Sequence, residues 1–140
     1  MKMKKLILLL LFIPLVSCDF NLNKANSYSN IDFDAMLRIT AEKINERCPM
    51  MVDKNTRMDN VAALSNKTVL YNYTMINNLV DDFTDEYFEN EFGPILINQV
   101  KTNPGLSSWR ENNVTFKYHY SDKDGVSIKQ YTITPEMYTQ

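Results

Sequence analysis

The chain has 140 residues, with 15 basic and 17 acidic side chains and a net charge of −2. That length suits one small domain and is too short for two, and no basic stripe of the kind a nucleic-acid binder carries is present. The two cysteines and the one histidine are scattered at 18, 48 and 119, with no Cys or His cluster of the kind that the three or four ligands of a zinc site form.

Met1-Lys2-Met3-Lys4-Lys5 opens the chain with three lysines and no acid, and residues 6–17 form an apolar run with Pro14 near its end. A basic head, a short apolar core and a small residue before the cut describe a secretory signal peptide. The run is short of the roughly 20 apolar residues that a membrane-crossing helix needs. Leu15-Val16-Ser17-Cys18 resembles the lipobox of bacterial lipoproteins. The resemblance implies a diacylglyceryl group on the Cys18 thiol, cleavage before it, and Cys18 as the first mature residue. One acyl chain anchors weakly at about 0.8 kcal/mol per buried CH₂, so the two or three chains of that class imply stable anchoring with the domain on the periplasmic side of the cell envelope. Asp19, next to the cysteine, points to the inner membrane under the sorting rule of enteric bacteria. Residues 19–30 are rich in Asn and Ser and read as a flexible tether. The mature chain keeps 12 basic and 17 acidic residues, a net charge of −5, and a single thiol, Cys48, which cannot form an internal disulfide.

The domain is expected over residues 31–140. Residues 31–48 place Phe33, Met36, Leu37, Ala41, Ile44 and Cys48 at helical spacing, with Asn30 or Asp32 as cap and Pro49 as the stop. Asp53 and Asn55 mark a turn. A strand should follow from Thr56, with Met58, Ala62 and Leu64 on one face. Residues 67–75 alternate, with Val69, Tyr71, Tyr73 and Met75 on one side, and pair with the preceding strand as a hairpin. Helical spacing returns over 82–101, where Gly93-Pro94 either kinks the helix or begins a second one. Trp109 is expected to pin the following loop to the core. Residues 113–121 are a second alternating strand, with Val114, Phe116, Tyr118 and Tyr120 on one face. Asp122-Lys123-Asp124-Gly125 turns the chain into a partner strand, 126–134, whose alternation slips between Ile128 and Tyr131 and predicts a bulge. The residues after Pro135 are expected to fray. The order helix, hairpin, helix, hairpin predicts a two-layer α+β fold with one four-stranded antiparallel sheet.

No catalytic set emerges. His119 lies on a polar strand face beside Lys117, with no cluster around it to hold a metal. Asp122-Lys123-Asp124-Gly125 lacks the spacing and the closing Glu of a calcium loop. The carboxylate pairs Asp81-Asp82, Asp85-Glu86 and Glu89 with Glu91 fall at a helix start and on its wet face. A hydrolase there would need two of them to converge with one pKa raised. Cys48 reads as packing. The chain is therefore expected to be non-enzymatic, without cofactor or metal. It would bind another envelope protein, as an assembly factor, an inhibitor or an immunity protein, through an exposed sheet face or strand edge. The alternative is an envelope lipid or glycan binder with a pocket lined by Tyr71, Tyr73, Phe116 and Tyr118.

Two motifs support a wider resemblance. One is Pro49-Met50-Met51-Val52-Asp53 with Thr56-Arg57-Met58-Asp59 and Leu70-Tyr71-Asn72-Tyr73. The other is Val114-Thr115-Phe116-Lys117-Tyr118 with Asp122-Lys123-Asp124-Gly125 and Ile133-Thr134-Pro135. Together they are similar to a family of small exported bacterial proteins, many of them lipoproteins, of unknown function. The resemblance implies a shared fold and, in relatives, a cysteine pair at the places that Asn103 and Tyr138 occupy here. It assigns no catalytic residue.

Overall fold

The computed structural model describes residues 32–140. The signal peptide, Cys18 and the tether lie outside the described residues. Helix α1 (Phe33–Asn45) has Asp32 at its N-cap position, without a side-chain capping bond, and Asp34 in its first turn and Lys43 in its last match the helix dipole. Its apolar stripe buries Leu37 and Ala41 against the sheet. Strands β1 (Met50–Met51), β2 (Thr56–Leu64), β3 (Thr68–Met75), β4 (Thr115–Asp122) and β5 (Ser127–Ile133) form one sheet in that spatial order.

The sheet has five strands rather than four and is mixed rather than antiparallel. β2–β3 and β4–β5 are the two antiparallel hairpins, but β3 and β4 pair in parallel, Tyr71 opposite Tyr118 and Tyr73 opposite Tyr120. The chain leaves the end of β3, crosses the sheet through a helical layer and re-enters at the start of β4, as a parallel neighbour requires. β1 is only two residues long, below what an alternation pattern can reveal. It pairs Met50 with Met58 and Met51 with Arg57.

β2 departs from its expected facing. Met58 pairs with Tyr73 and Asn60 with Asn72, so Asp59 is an extra residue. A one-residue bulge reverses which side chains point inward. Thr56 and Met58 are buried before it and Val61 after it, while Ala62 is half-buried and Leu64 exposed. The bulge expected in β5 is present: Tyr120 pairs with Lys129 and Ser121 with Ser127, leaving Ile128 between them.

The crossover contains a short turn at Val80–Asp82, then helix α2 (Asp85–Tyr87), a π-helical turn (Phe88–Phe92) and helix α3 (Gly93–Thr102) in unbroken succession. Gly93-Pro94 opens α3, as one of the two expected arrangements has it, but α3 follows the π-helical turn directly. Proline has no N–H to donate to the preceding turn. The widened turn shifts the bonding by one residue, so that the Gly93 N–H reaches the Phe88 carbonyl. Phe88, Phe92, Leu96 and Val100 are buried on the sheet. Helix α4 (Ser107–Glu111) carries Trp109, which stacks on Phe116 at 5.9 Å. The last residues form helix α5 (Pro135–Thr139) rather than fraying. Proline opens it at a position where a missing N–H costs nothing, and the buried Tyr138 hydroxyl donates to the Val114 carbonyl at 2.9 Å. No helix among the described residues is long and apolar enough to cross a membrane.

Candidate interaction surface

All helices cover one face of the sheet, and the tyrosine-rich strand faces point into that layer. The structure brings Tyr71, Tyr73, Phe116 and Tyr118 together, with relative exposures of 7, 2, 0 and 2%. Tyr71 stacks on Tyr118 at 5.4 Å and Tyr73 on Tyr120 at 5.2 Å, because in-register parallel strands set like rings side by side. Burial pushes the hydroxyl pKa values of Tyr71, Tyr73, Tyr118 and Tyr120 upward. These side chains are core, which corrects the reading of them as an open contact face or a pocket wall. A nearby cavity, lined by Met75, Phe83, Phe88, Phe92 and Tyr120, has about 10 Å³. That is room for one water at most. The Tyr120 hydroxyl is buried without a hydrogen-bond partner.

Among the described residues, the opposite face of the sheet carries no helix. A hydrogen-bonded row crosses four strands there: Asn72 donates to Asn60 at 2.8 Å, and His119 bridges Asn72 at 3.3 Å and Ser127 at 3.0 Å. Asn60, Asn72 and His119 are register partners, so one strand-perpendicular line holds them. Beside it, Arg57 meets Asp59 at 2.6 Å and the Thr74 hydroxyl donates to Asp59 at 2.6 Å. Sequence alternation located His119 on this polar face. It did not reveal the row, which depends on the parallel pairing.

The two sheet edges differ. On the β2 side, the Asn45 side-chain amide takes the place of a strand partner, donating to the Val61 carbonyl at 2.8 Å and accepting its N–H at 2.7 Å. On the other side, β5 has no strand beyond it. Alongside β5 runs an open groove of about 370 Å³, with Val80, Phe83, Phe88 and Ile128 in its lining and Asp81 and Asp85 among its polar groups. Lys129 pairs with Asp85 at 2.8 Å. That hydrogen bond and charge hold the Asp85 carboxyl below the usual range and the Lys129 ammonium above it. The direction at Asp85 is opposite to what a general acid needs. Asp82 accepts the Leu79 N–H at 2.9 Å, which occupies it as a turn cap.

Asp122 is a residue whose role the sequence did not disclose beyond a turn. It is 1% exposed. One oxygen accepts the N–H groups of Asp124 at 2.9 Å and Val126 at 2.8 Å, and the other accepts that of Val80 at 3.1 Å. Burial raises its pKa, but those backbone donors and Lys123 outweigh this and hold it low. Asp122 thereby ties the β4–β5 turn to the loop that enters the groove. Cys48 is half-buried against the core, and burial, then the charge of Asp59, push its thiol pKa up, so it is not an activated nucleophile.

This fold has solved counterparts. PA3611 of Pseudomonas aeruginosa, described as secreted, superposes with a TM-score of 0.58 at 10% identity, over 74% of this chain and 94% of that one. The type II secretion system pilotin AspS of Vibrio cholerae gives 0.55 at 11%, over 74% and 90%. EpsS, the pilotin of the Vibrio vulnificus type 2 secretion system, gives 0.52 at 11%, over 75% and 90%. None of the three is named as an enzyme, and at these identities the likeness is one of fold. No curated protein matches the chain in sequence. The family described as "Domain of unknown function (DUF8479)" matches residues 33–129, and the chain belongs to it.

Proposed function

We propose that this chain is a bacterial lipoprotein, held to a membrane through lipid on Cys18, whose domain binds another protein of the cell envelope without catalysing a reaction. The observation that carries the reading is the shared fold with two pilotins of type II secretion systems, each covered over 90% of its length. The site chemistry agrees. The one histidine sits in a hydrogen-bonded row, the carboxylates are exposed or occupied, and the tyrosines are packed into the core. The open β5 edge and its groove are the natural contact surface. The lipid would hold the domain on the periplasmic side, and Asp19 favours the inner membrane.

The test is a cross-linking pull-down of the full-length protein from its own membranes, read by mass spectrometry beside a Cys18→Ala control. A stoichiometric envelope partner, present with the native chain and depleted with the control, is the expected result. A native chain that stays in the soluble fraction refutes the anchor. A membrane-bound chain with no partner refutes the binding role.

A further inference from the structure

Resting on that reading, we propose that the groove beside β5 receives a basic, apolar-faced segment of the partner polypeptide. The argument begins with charge. From Val80 to Phe92 the sequence has six carboxylates, at 81, 82, 85, 86, 89 and 91, and no basic residue. Lys129 is the cation this stretch meets across the groove, and it is already engaged with Asp85. Asp81 and Glu86 are exposed beside the groove. A segment approaching here enters a negative field, which favours Lys or Arg and disfavours acids.

The second observation is apolar. The groove lining sets Val80, Phe83, Phe88 and Ile128 among Asp81, Thr84 and Asp85, and its accessible surface is more polar than apolar. The β5 bulge leaves Ile128 without a partner across the ladder. Leu79 and Val126, the exposed apolar residues of the two loops that Asp122 joins, are 41% and 51% exposed. A lining that mixes acidic with apolar side chains, next to exposed Leu79 and Val126, favours an occupant that brings both a cation and an apolar residue.

The third is the edge itself. The groove meets β5 at Ile128, and among the described residues no strand lies outside β5, so an extended segment can bond the edge and set a side chain into the groove. The shape is open, which suits a polypeptide that continues past it better than an enclosed small molecule.

The experiment places the photo-cross-linking residue benzoylphenylalanine at Val126 in the full chain, in its own membranes, and sequences the captured peptide. The same residue at Arg38 on α1 is the distant control. The expected capture is one partner segment with net positive charge and at least one large apolar residue. Its yield should fall about tenfold with Asp81→Lys plus Glu86→Lys, as removal of a steering field predicts, and less than about twofold with Glu42→Lys plus Glu46→Lys, which changes the net charge equally but lies in α1 and at its C-cap. Circular dichroism of each variant confirms the fold. An acidic or uncharged captured segment, or equal losses in both charge variants, overturns the inference. A partner found by the general pull-down but never captured from Val126 overturns the groove alone and leaves the binding role standing. No partner in either experiment overturns both.

Discussion

Gly93→Ala separates two opposing effects at the π-helical turn. The backbone of Gly93 is ordinary right-handed helix (φ −55, ψ −51), so alanine meets no conformational barrier and should gain about 1 kcal/mol in helix propensity. Space decides the outcome. An added Cβ would lie 3.1 Å from Cε1 of Tyr131 and 3.2 Å from the Phe88 carbonyl oxygen. The carbonyl is backbone in the same turn, and the Tyr131 hydroxyl donates to that carbonyl, which anchors the ring. Neither neighbour can retreat without breaking that bond. Overpacking of this kind costs about 1–3 kcal/mol, and loss of the hydrogen bond about 1 kcal/mol more. The net should be a destabilisation of about 1–3 kcal/mol, or on the order of 5–15 °C in Tm. Urea unfolding followed by the fluorescence of Trp109, the one tryptophan, measures it. In a Tyr131→Ala background, Gly93→Ala should become neutral or stabilising, a coupling that a double-mutant cycle reads directly. A Gly93→Ala protein more stable than the parent would refute the steric argument.

Three further outcomes follow from the same structure. Tyr120→Phe removes a buried hydroxyl with no partner and should raise stability by about 1 kcal/mol in the same urea assay; a clear loss would mean the hydroxyl is bonded. Asn45→Ala strips the Val61 N–H and carbonyl of their partner and should cost about 1–3 kcal/mol, with Val61 amide exchange accelerating. Asp122 titrates below its unfolded value, so its contribution is present at neutral pH and is lost as pH falls below about 4. Asp122→Asn should therefore flatten the acid limb of the stability–pH curve, and an unchanged limb would contradict the assignment.

The strands were legible where alternation was unbroken. Val69 to Met75 and Val114 to Tyr120 face as their spacing says, because a period of two admits one solution when one side is buried. The facing after Met58 was not legible, since nothing in Asp59 announces an extra residue. The order of the hairpins in space was equally hidden. Antiparallel and parallel neighbours use the same alternating sequence, and only the direction of re-entry after the crossover distinguishes them. That single difference sets Tyr71 directly opposite Tyr118, so that the two rings stack. The helix over 82–101 was recognised by its apolar stripe, whereas the bond from Tyr131 to Phe88 joins residues far apart in sequence and has no local signature. Asp122 read as a turn residue, and its third bond, to Val80, is a tertiary fact.

The Asn45 amide also sets how far copies of this domain can associate. Endless sheet growth needs two free edges per molecule, one to receive and one to offer. On one side Asn45 occupies Val61, and β1, the terminal strand there, is only two residues long, so among the described residues β5 is the one edge long enough to extend a sheet. Two copies joined through β5 would exhaust their open edges, and the assembly would stop at a symmetric pair instead of running on as a fibre. One side chain thus limits strand-to-strand self-pairing of the described domain to a closed unit.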